Sequence, residues 1–407
     1  MAFRRRPRSK AAEECVLPSS EHIPNYNKRR RAATYYPPWS SMHGDLIECI
    51  AERVLAGDVA DYVRFRSVCR SWRSCTVGPR GLGLSDVRFH PRRWMMFPEG
   101  HGLYPGHAKL RGRGRVRFFC GDTGAFVTVH LPIFKDHAAL DNPDGLLLLQ
   151  RDADTAVVLL NPFTGDVAEL PQLYQHTPPH PRLSDEANLP YFRRVCAAVS
   201  VSPVTGTITV LVALENESGI KRLDPPAPPL VLNDDTAAVL SQPQMIATFP
   251  SHIMILPQLV DCDDQILVVG STDLSRSRLV VIRLADLLLH PTTVVALTTN
   301  DIGDHCLFFG MRSLAVSSKG LPSILRNTII LCDSIPDHLQ QYNLGDGTLS
   351  PACDGDIVRT PPPSPHSIVH HLLTCCYRYF WNKGLIYCTR TKPTWTTKTN
   401  KHLRFGV

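Results

Sequence analysis

Five potential metal ligands stand close together near the C-terminal end of the chain. The segment H-S-I-V-H-H-L-L-T-C-C carries imidazole and thiol side chains, the groups that most often bind zinc. They are His366, His370, His371, Cys375 and Cys376. Structural zinc sites take paired ligands from two separated elements, whereas these five lie in one segment that alternates with apolar residues. We therefore predict a buried β-strand here, without a bound metal.

Two pairs of aspartates could act as a general acid and base. Asp152 with Asp154, and Asp263 with Asp264, stand among turn-forming residues, where an Asp side chain commonly bonds its own backbone. The sequence has no G-x-S-x-G, no G-x-x-x-x-G-K-[ST], no G-x-G-x-x-G after a strand and no H-E-x-x-H. The sequence thus predicts a protein that is not an enzyme and holds no cofactor.

The composition is that of an ordinary globular protein. Of 407 residues, 43% are hydrophobic and 20% are charged, and no apolar run is long enough for a membrane span. The start, MAFRRRPRSK, has no apolar stretch behind it, so no signal peptide is predicted. The 13 cysteines are scattered and form no C-x-x-C pair, a pattern that indicates reduced thiols in an intracellular protein. No membrane partner is expected.

Most of the net charge of +7 lies in residues 1–38, which hold nine basic residues against three acidic ones. Without apolar periodicity, this tail is predicted to be disordered. Its basic clusters are typical of a nuclear import signal, with Lys28, Arg29, Arg30 and Arg31 as the main candidate, although a solvated tail without that role is the alternative. The rest of the chain is nearly neutral, so no nucleic-acid partner is expected. The run R-G-R-G-R-V-R at Arg111–Arg117 is predicted to be a loop leading into a strand.

Three short amphipathic helices are predicted between Asp45 and Ser74. Apolar residues recur there every three or four positions, Gly57 would end the first helix, and Asp58 would cap the second. About thirty residues bury too little surface to fold alone, so the apolar faces must dock on something. A helical hairpin packed only on its own chain is the alternative to a partner-binding module.

The order of residues in this segment resembles the F-box, the helical module that binds the Skp-type adaptor of cullin-based ubiquitin ligases. The ending R-F-R-S-V-C-R-S-W-R is its most specific part. The family usually opens with Leu-Pro, where this chain has Met42-His43. The resemblance implies that residues 39–80 bind the adaptor through nine side chains or the packing behind them: Met42, Leu46, Ile47, Ile50, Val54, Leu55, Val68, Cys69 and Trp72.

From about Asp86 onward the sequence predicts short strands separated by turn residues. Three hairpins share a Thr-Gly turn at Gly124, Gly165 and Gly206, which are spaced 41 residues apart. A period of 40 to 50 residues is typical of β-propeller blades. We therefore predict an α+β, multidomain chain in which a three-helix F-box precedes an all-β propeller of about six to seven blades over residues 86–407. An irregular β-sandwich is the alternative.

The segments D-G-L-L-L-L, N-P-F-T-G-D-V-A-E-L-P, N-T-I-I-L-C-D and Y-N-L-G-D-G-T resemble plant F-box proteins with a divergent kelch-like propeller, a family expanded in cereals. By that resemblance, the strand near Leu385–Tyr387 would close the ring. The implied function is substrate recognition in a ubiquitin ligase, with an adaptor, and through it cullin, and an unknown protein target as partners, in the nucleus or cytoplasm. Two alternatives stay open: a propeller enzyme with acidic or histidine side chains at its channel, and a nuclear binding protein with a degenerate F-box.

Overall fold

The computed structural model describes most of the chain from residue 39 onward. The described ranges are 39–97, 114–151, 156–171, 192–214, 219–225, 242–249, 254–263, 265–273, 278–289, 299–310, 312–320, 324–332, 340–352, 368–376 and 385–387. The chain divides into two units, Met1–Met42 and His43–Val407. Of the first unit only the short 3-10 helix Trp39–Ser41 and Met42 are described.

Three helices begin the second unit: α1 (Gly44–Gly57), α2 (Val59–Ser67) and α3 (Arg70–Ser74). Asp58 separates α1 from α2, and its side chain accepts hydrogen bonds from the backbone N–H groups of Ala60 (2.7 Å) and Asp61 (3.1 Å). This cap satisfies two of the amides that a helix start leaves without an internal partner.

The strands that the structure describes form five sheets. Sheet I contains β1 (Trp94–Phe97), β2 (Arg115–Cys120) and β3 (Phe126–His130). Sheet II contains β4 (His137–Asp141), β5 (Leu147–Arg151), β6 (Val157–Leu160) and β7 (Val167–Leu170). Sheet III contains β8 (Phe192–Val201), β9 (Ile208–Leu214), β10 (Gly219–Leu223), β11 (Gln244–Thr248) and β20 (Leu385–Tyr387).

Sheet IV contains β12 (Ile255–Cys262), β13 (Gln265–Ser271) and β14 (Leu279–Arg283), and the short helix α4 (Leu284–Leu289) follows it. Sheet V contains β15 (His305–Phe309), β16 (Leu314–Ser317), β17 (Thr328–Leu331), β18 (Gln340–Asn343) and β19 (Leu349–Pro351). Among the strands that the structure describes, all pairs are antiparallel except β15 with β17. Within the described ranges, no helix is long and apolar enough to cross a membrane.

Buried apolar clusters join the sheets into a ring. One cluster each lies between sheets I and II, II and III, III and IV, and IV and V. A fifth cluster joins sheet V back to sheet I. Because each strand sends alternate side chains to the two faces of its sheet, every blade can fill two such clusters. The arrangement is propeller-like, with five blades among the described residues rather than the six or seven expected.

The three Thr-Gly turns have the expected local structure. Gly124, Gly165 and Gly206 all have positive φ (70°, 81° and 65°), and each donates its N–H to the carbonyl four residues earlier at 2.9 Å. However, the turns join different strands: β2 to β3, β6 to β7, and β8 to β9. The 41-residue spacing therefore counts similar turns and does not measure the length of a blade.

The segment with clustered His and Cys residues is a helix, α5 (Ile368–Cys376), and not the predicted strand. Val369, Leu372, Leu373, Cys375 and Cys376 are buried in the cluster that joins sheets V and I. The apolar residues fit a helical period as well as an alternating one, so the pattern alone was ambiguous. The prediction that β20 closes the ring was also wrong, since β20 pairs with Phe192–Arg194 of β8. Within the described part of the chain, α5 occupies the closing interface.

Candidate functional site

Three apolar side chains of the helical segment are exposed. The exposed fractions are 59% for Leu46, 38% for Ile50 and 60% for Val68. We call these three residues the apolar patch. Leu46 and Ile50 are four residues apart on α1 and so share one face, while Val68 directly follows α2. Leu46 and Ile50 therefore expose one continuous apolar surface of α1, and such a surface is typical of interaction sites.

The other predicted adaptor contacts lie elsewhere. Ile47 is fully buried, and Val54 and Leu55 pack against the cluster around Phe89. Cys69 caps α3 by accepting the N–H of Trp72 at 3.4 Å, and the Trp72 ring is stacked on Phe65 at 4.4 Å. Met42 is half-buried and belongs to the first unit. The import candidates Lys28, Arg29, Arg30 and Arg31 lie outside the described residues, as do Asp152, Asp154, Asp264 and His366.

The inner side of the helices is fixed to the propeller. The indole Nε1–H of Trp94 on β1 donates to the Asp58 carboxylate at 2.6 Å. The buried Asn161 side chain donates to the carbonyls of Gly83 (2.8 Å) and Phe89 (3.0 Å), in the segment between the helices and β1. Asp166 accepts the amides of Gly81 and Gly83, each at 2.8 Å. The turn between β6 and β7 thus holds the connecting segment by four hydrogen bonds.

A cavity of about 930 Å³ opens at the centre of the ring. Its wall includes residues of β1, β4, β8, β12 and β16, one strand from each sheet, together with the connection between α1 and α2. We call it the central cavity. This volume is in the usual range for a ligand-binding pocket, roughly 300 to 1,000 Å³.

A buried ion pair crosses the central cavity. Arg312, which precedes β16 of sheet V, places its Nε 3.2 Å from Asp141 Oδ1 on β4 of sheet II. The same guanidinium donates to the carbonyl oxygen of Asn142. Asp141 Oδ2 also accepts the amide of Ala197 from sheet III at 2.7 Å. One carboxylate therefore connects three blades, and its buried charge is offset by a cation and by backbone amides.

Asp144 forms a second polar group on the wall. Its carboxylate lies 2.6 Å from His90 Nδ1 and 3.0 Å from Arg92 Nε. His90 Nε2 lies 3.0 Å from the carbonyl oxygen of Leu84, so both ring nitrogens of this buried side chain have oxygen partners. Asp144 has a φ of 50°, and the next residue, Gly145, one of 77°. Such left-handed backbone at a non-glycine residue is frequent at functional sites.

Asp261, near the end of β12, faces the same cavity. One of its oxygens accepts the backbone N–H of Asp144 at 3.1 Å. Burial, followed by the nearby negative charge of Asp144, raises the pKa of the Asp261 carboxyl to about 8. Asp141 acts in the same direction, whereas Arg312 opposes it. The carboxyl group can therefore hold a proton near neutral pH.

Of the two aspartate pairs, only Asp263 lies in the described residues. Asp263 is exposed, has a φ of 53° and lies 3.1 Å from His305 Nε2 at the rim of the central cavity. It is thus a turn residue, as its sequence context suggested. No group of three or more His, Cys, Asp or Glu side chains is arranged for metal binding in the part of the chain described here. The ten cysteines of that part are free thiols.

Sequence reasoning missed the residues that line the central cavity. Asp141, Asp144, Asp261 and Arg312 come from distant segments, and none of them belongs to a recognisable motif. The turn-forming run D-N-P-D-G at Asp141–Gly145 was a local signal, but it indicates a turn and not the direction of its side chains.

No protein-family model matches the chain, and no curated protein matches it.

Proposed function

We propose that this protein is the substrate-recognition subunit of a cullin-based ubiquitin ligase. In this proposal α1–α3 bind a Skp-type adaptor, and the propeller binds a target protein. The observation that carries it is the apolar patch, because Leu46, Ile50 and Val68 remain exposed on helices whose other side is already anchored to the propeller. The F-box resemblance of the same segment supports the choice of partner.

The anchoring of the helices suits such a role. The Asp58–Trp94 hydrogen bond and the bonds from Asn161 and Asp166 hold the connecting segment in one position on the ring. A receptor subunit works by keeping a target close to the ubiquitin-loaded enzyme, so that a bimolecular encounter becomes a local one. A rigid connection between the adaptor-binding helices and the target-binding domain increases that local concentration.

Co-purification of the full chain with a Skp-type adaptor tests the proposal. Ile50→Asp places a charge in the apolar patch, and we expect at least a tenfold loss of recovered adaptor with an unchanged unfolding temperature. Val204→Asp is the matched control, because Val204 is 90% exposed in the turn between β8 and β9 and does not belong to the helical segment. Equal adaptor recovery with both variants, or none with the unmodified chain, would contradict the proposal.

A propeller enzyme is the second candidate, because a central cavity with facing carboxylates meets the condition expected for one. Asp261 could act as a general acid, since its pKa is raised to about 8. However, Asp144 is held by His90 and Arg92, and Asp141 by Arg312, so neither is placed as a base. Hydrolysis of a panel of nitrophenyl esters and glycosides, abolished by Asp261→Asn, would favour the enzyme.

A further inference from the structure

The central cavity is acidic although the chain as a whole is basic. Its wall carries seven carboxylates against four guanidinium groups, in a protein with a net charge of +7. The seven are Glu52, Asp58, Asp122, Asp141, Asp144, Asp261 and Asp263, and the four are Arg88, Arg92, Arg93 and Arg312. A concave surface with an excess of one sign concentrates ions of the opposite sign.

Most of these carboxylates already have partners within the chain. Asp141 is paired with Arg312, and Asp144 with His90 and Arg92. At the rim, Asp122 is 3.4 Å from Arg93 and Asp263 is 3.1 Å from His305. Asp58 accepts the indole N–H of Trp94 and two helix amides. Glu52, on α1, is exposed.

Asp261 has different partners from the other carboxylates that line the described part of the central cavity. The hydrogen bond it accepts comes from a backbone amide, and the charge that acts on it most strongly is that of another carboxylate, Asp144. An ionised carboxylate has about four acceptor positions, so one amide leaves most of them for a ligand. A bound cation would offset the repulsion between the two carboxylates, which an anion or a neutral group would not.

The geometry points to a binding site for an organic cation, an ammonium or guanidinium group, in the central cavity, with Asp261 as the carboxylate that receives it. The cavity of about 930 Å³ has room for a whole lysine or arginine side chain and part of its backbone. A metal ion is a poorer occupant, because the described residues place no three ligands together. The inference goes beyond the proposed function, since it holds whether or not the helices bind an adaptor.

Proton release should accompany binding. Because burial and Asp144 raise the pKa of Asp261 to about 8, the empty site is largely protonated at neutral pH, and a cation must displace that proton. We expect the affinity to rise up to tenfold per pH unit between pH 6 and 8 and to level off above pH 8. The charged and titratable groups around Asp261 are Asp144 with its partners His90 and Arg92, Asp141 with Arg312, and Cys262, Asp263 and His305.

Isothermal titration of the full chain with Nα-acetyl-lysine amide tests the site, with Nα-acetyl-glutamine amide as the neutral probe. At pH 8 we expect the lysine probe to bind at least tenfold more tightly than the glutamine probe. Asp261→Asn should reduce lysine binding at least tenfold, and the matched variant Asp301→Asn, at an exposed aspartate outside the cavity wall, should change it less than twofold. Putrescine serves as a small free amine for comparison with the lysine probe. If putrescine binds more tightly than the lysine probe, the ligand is a small molecule. If the lysine probe binds more tightly, the ligand is a polypeptide side chain. Both outcomes support the cation site.

Similar affinities for the two amide probes, or unchanged lysine binding in a folded Asp261→Asn variant, would overturn the inference. If that variant does not fold, the unmodified chain still decides, because titrations in buffers of different ionisation enthalpy measure the released proton directly. Absence of proton release, or an affinity for the lysine probe that does not rise between pH 6 and 8, would be equally contradictory. Adaptor recovery is measured separately, so failure of the cation site and failure of the proposed function can be told apart.

Discussion

The protonation of Asp261 should make folding stability depend on pH in an unusual direction. Its pKa is raised to about 8 in the folded protein, whereas an unfolded chain releases the same proton near pH 4. Between these values the folded state binds more protons than the unfolded state, so the free energy of unfolding falls as the pH rises. Paired carboxylates with lowered pKa values behave in the opposite way.

The size of this change in the free energy of unfolding follows from the shift in the pKa of Asp261. One proton held by the folded state alone corresponds to a slope of about 1.4 kcal/mol per pH unit. From pH 5 to 8 the loss of stability from this one group can therefore reach ~4 kcal/mol, a large part of the net stability of an ordinary domain. Asp86, whose pKa is lowered by its hydrogen bond to Arg88, titrates below this range, and Cys262, whose pKa is raised to about 12, titrates above it.

Asp261→Asn is the perturbation that isolates this contribution. The amide oxygen of Asn can still accept the Asp144 N–H, but the side chain cannot ionise. Urea unfolding followed by tryptophan fluorescence at pH 5, 6, 7 and 8 gives the free energy of unfolding of both proteins. We expect the variant to gain stability relative to the unmodified chain as the pH rises, by up to ~4 kcal/mol in total.

Asp263→Asn is the matched control. Asp263 lies two residues further along the chain, is exposed, and has a φ of 53°, which Asn adopts as readily as Asp. Its carboxylate is 73% exposed in the ion pair with His305, so we expect a pH-dependent change under about 1 kcal/mol. A difference between Asp261→Asn and the unmodified chain that stays constant from pH 5 to 8 would refute the reasoning.

Three further predictions concern the packing of the ring, each measured by urea unfolding. Gly145→Ala should lower the free energy of unfolding by more than about 3 kcal/mol, because the added Cβ would lie 1.9 Å from the Pro91 carbonyl oxygen. Gly165→Ala, at a similar φ but in open space, should lower it by only about 1 kcal/mol. Equal losses in the two variants would contradict this account. Asn161→Ala should lower the free energy of unfolding by about 2 to 4 kcal/mol, because the carbonyl groups of Gly83 and Phe89 lose their hydrogen-bond donor. A loss under about 0.5 kcal/mol would mean that water replaces the side chain as the donor. Leu372→Ala should lower the free energy of unfolding by about 3 kcal/mol, because Leu372 is buried in the apolar cluster that joins sheets V and I. A loss near zero would mean that the packing of α5 does not stabilise this interface.

Local structure was the most predictable part of this protein. The turns at Gly124, Gly165 and Gly206 have the positive φ that the sequence suggested. A fourth turn of the same kind, Asn343–Thr348, has Gly347 at a φ of 72° and was not recognised as related, because Asp and not Thr precedes its glycine. Such turns are specified by a few neighbouring residues, so a short stretch of sequence is sufficient to predict them.

The number of blades and the nature of α5 could not be obtained in the same way. A largely apolar segment of nine residues fits a buried strand or a buried helix, and the choice at Ile368–Cys376 depends on the space between sheets V and I. Likewise, the turn spacing of 41 residues agreed with a blade period only by chance, since the turns join different strands of their sheets. The closing interface is a property of the whole ring.

The sequence by itself determined the helix cap at Asp58, the hairpin turns and the strong β character from about residue 86 onward, because these depend on contacts between near neighbours. Only the tertiary structure decided which apolar residues of the helices are exposed and which acids meet in the central cavity. Asp141, Asp261 and Arg312 are brought together because five sheets close into a ring, and the packing that closes it involves residues far apart in the chain.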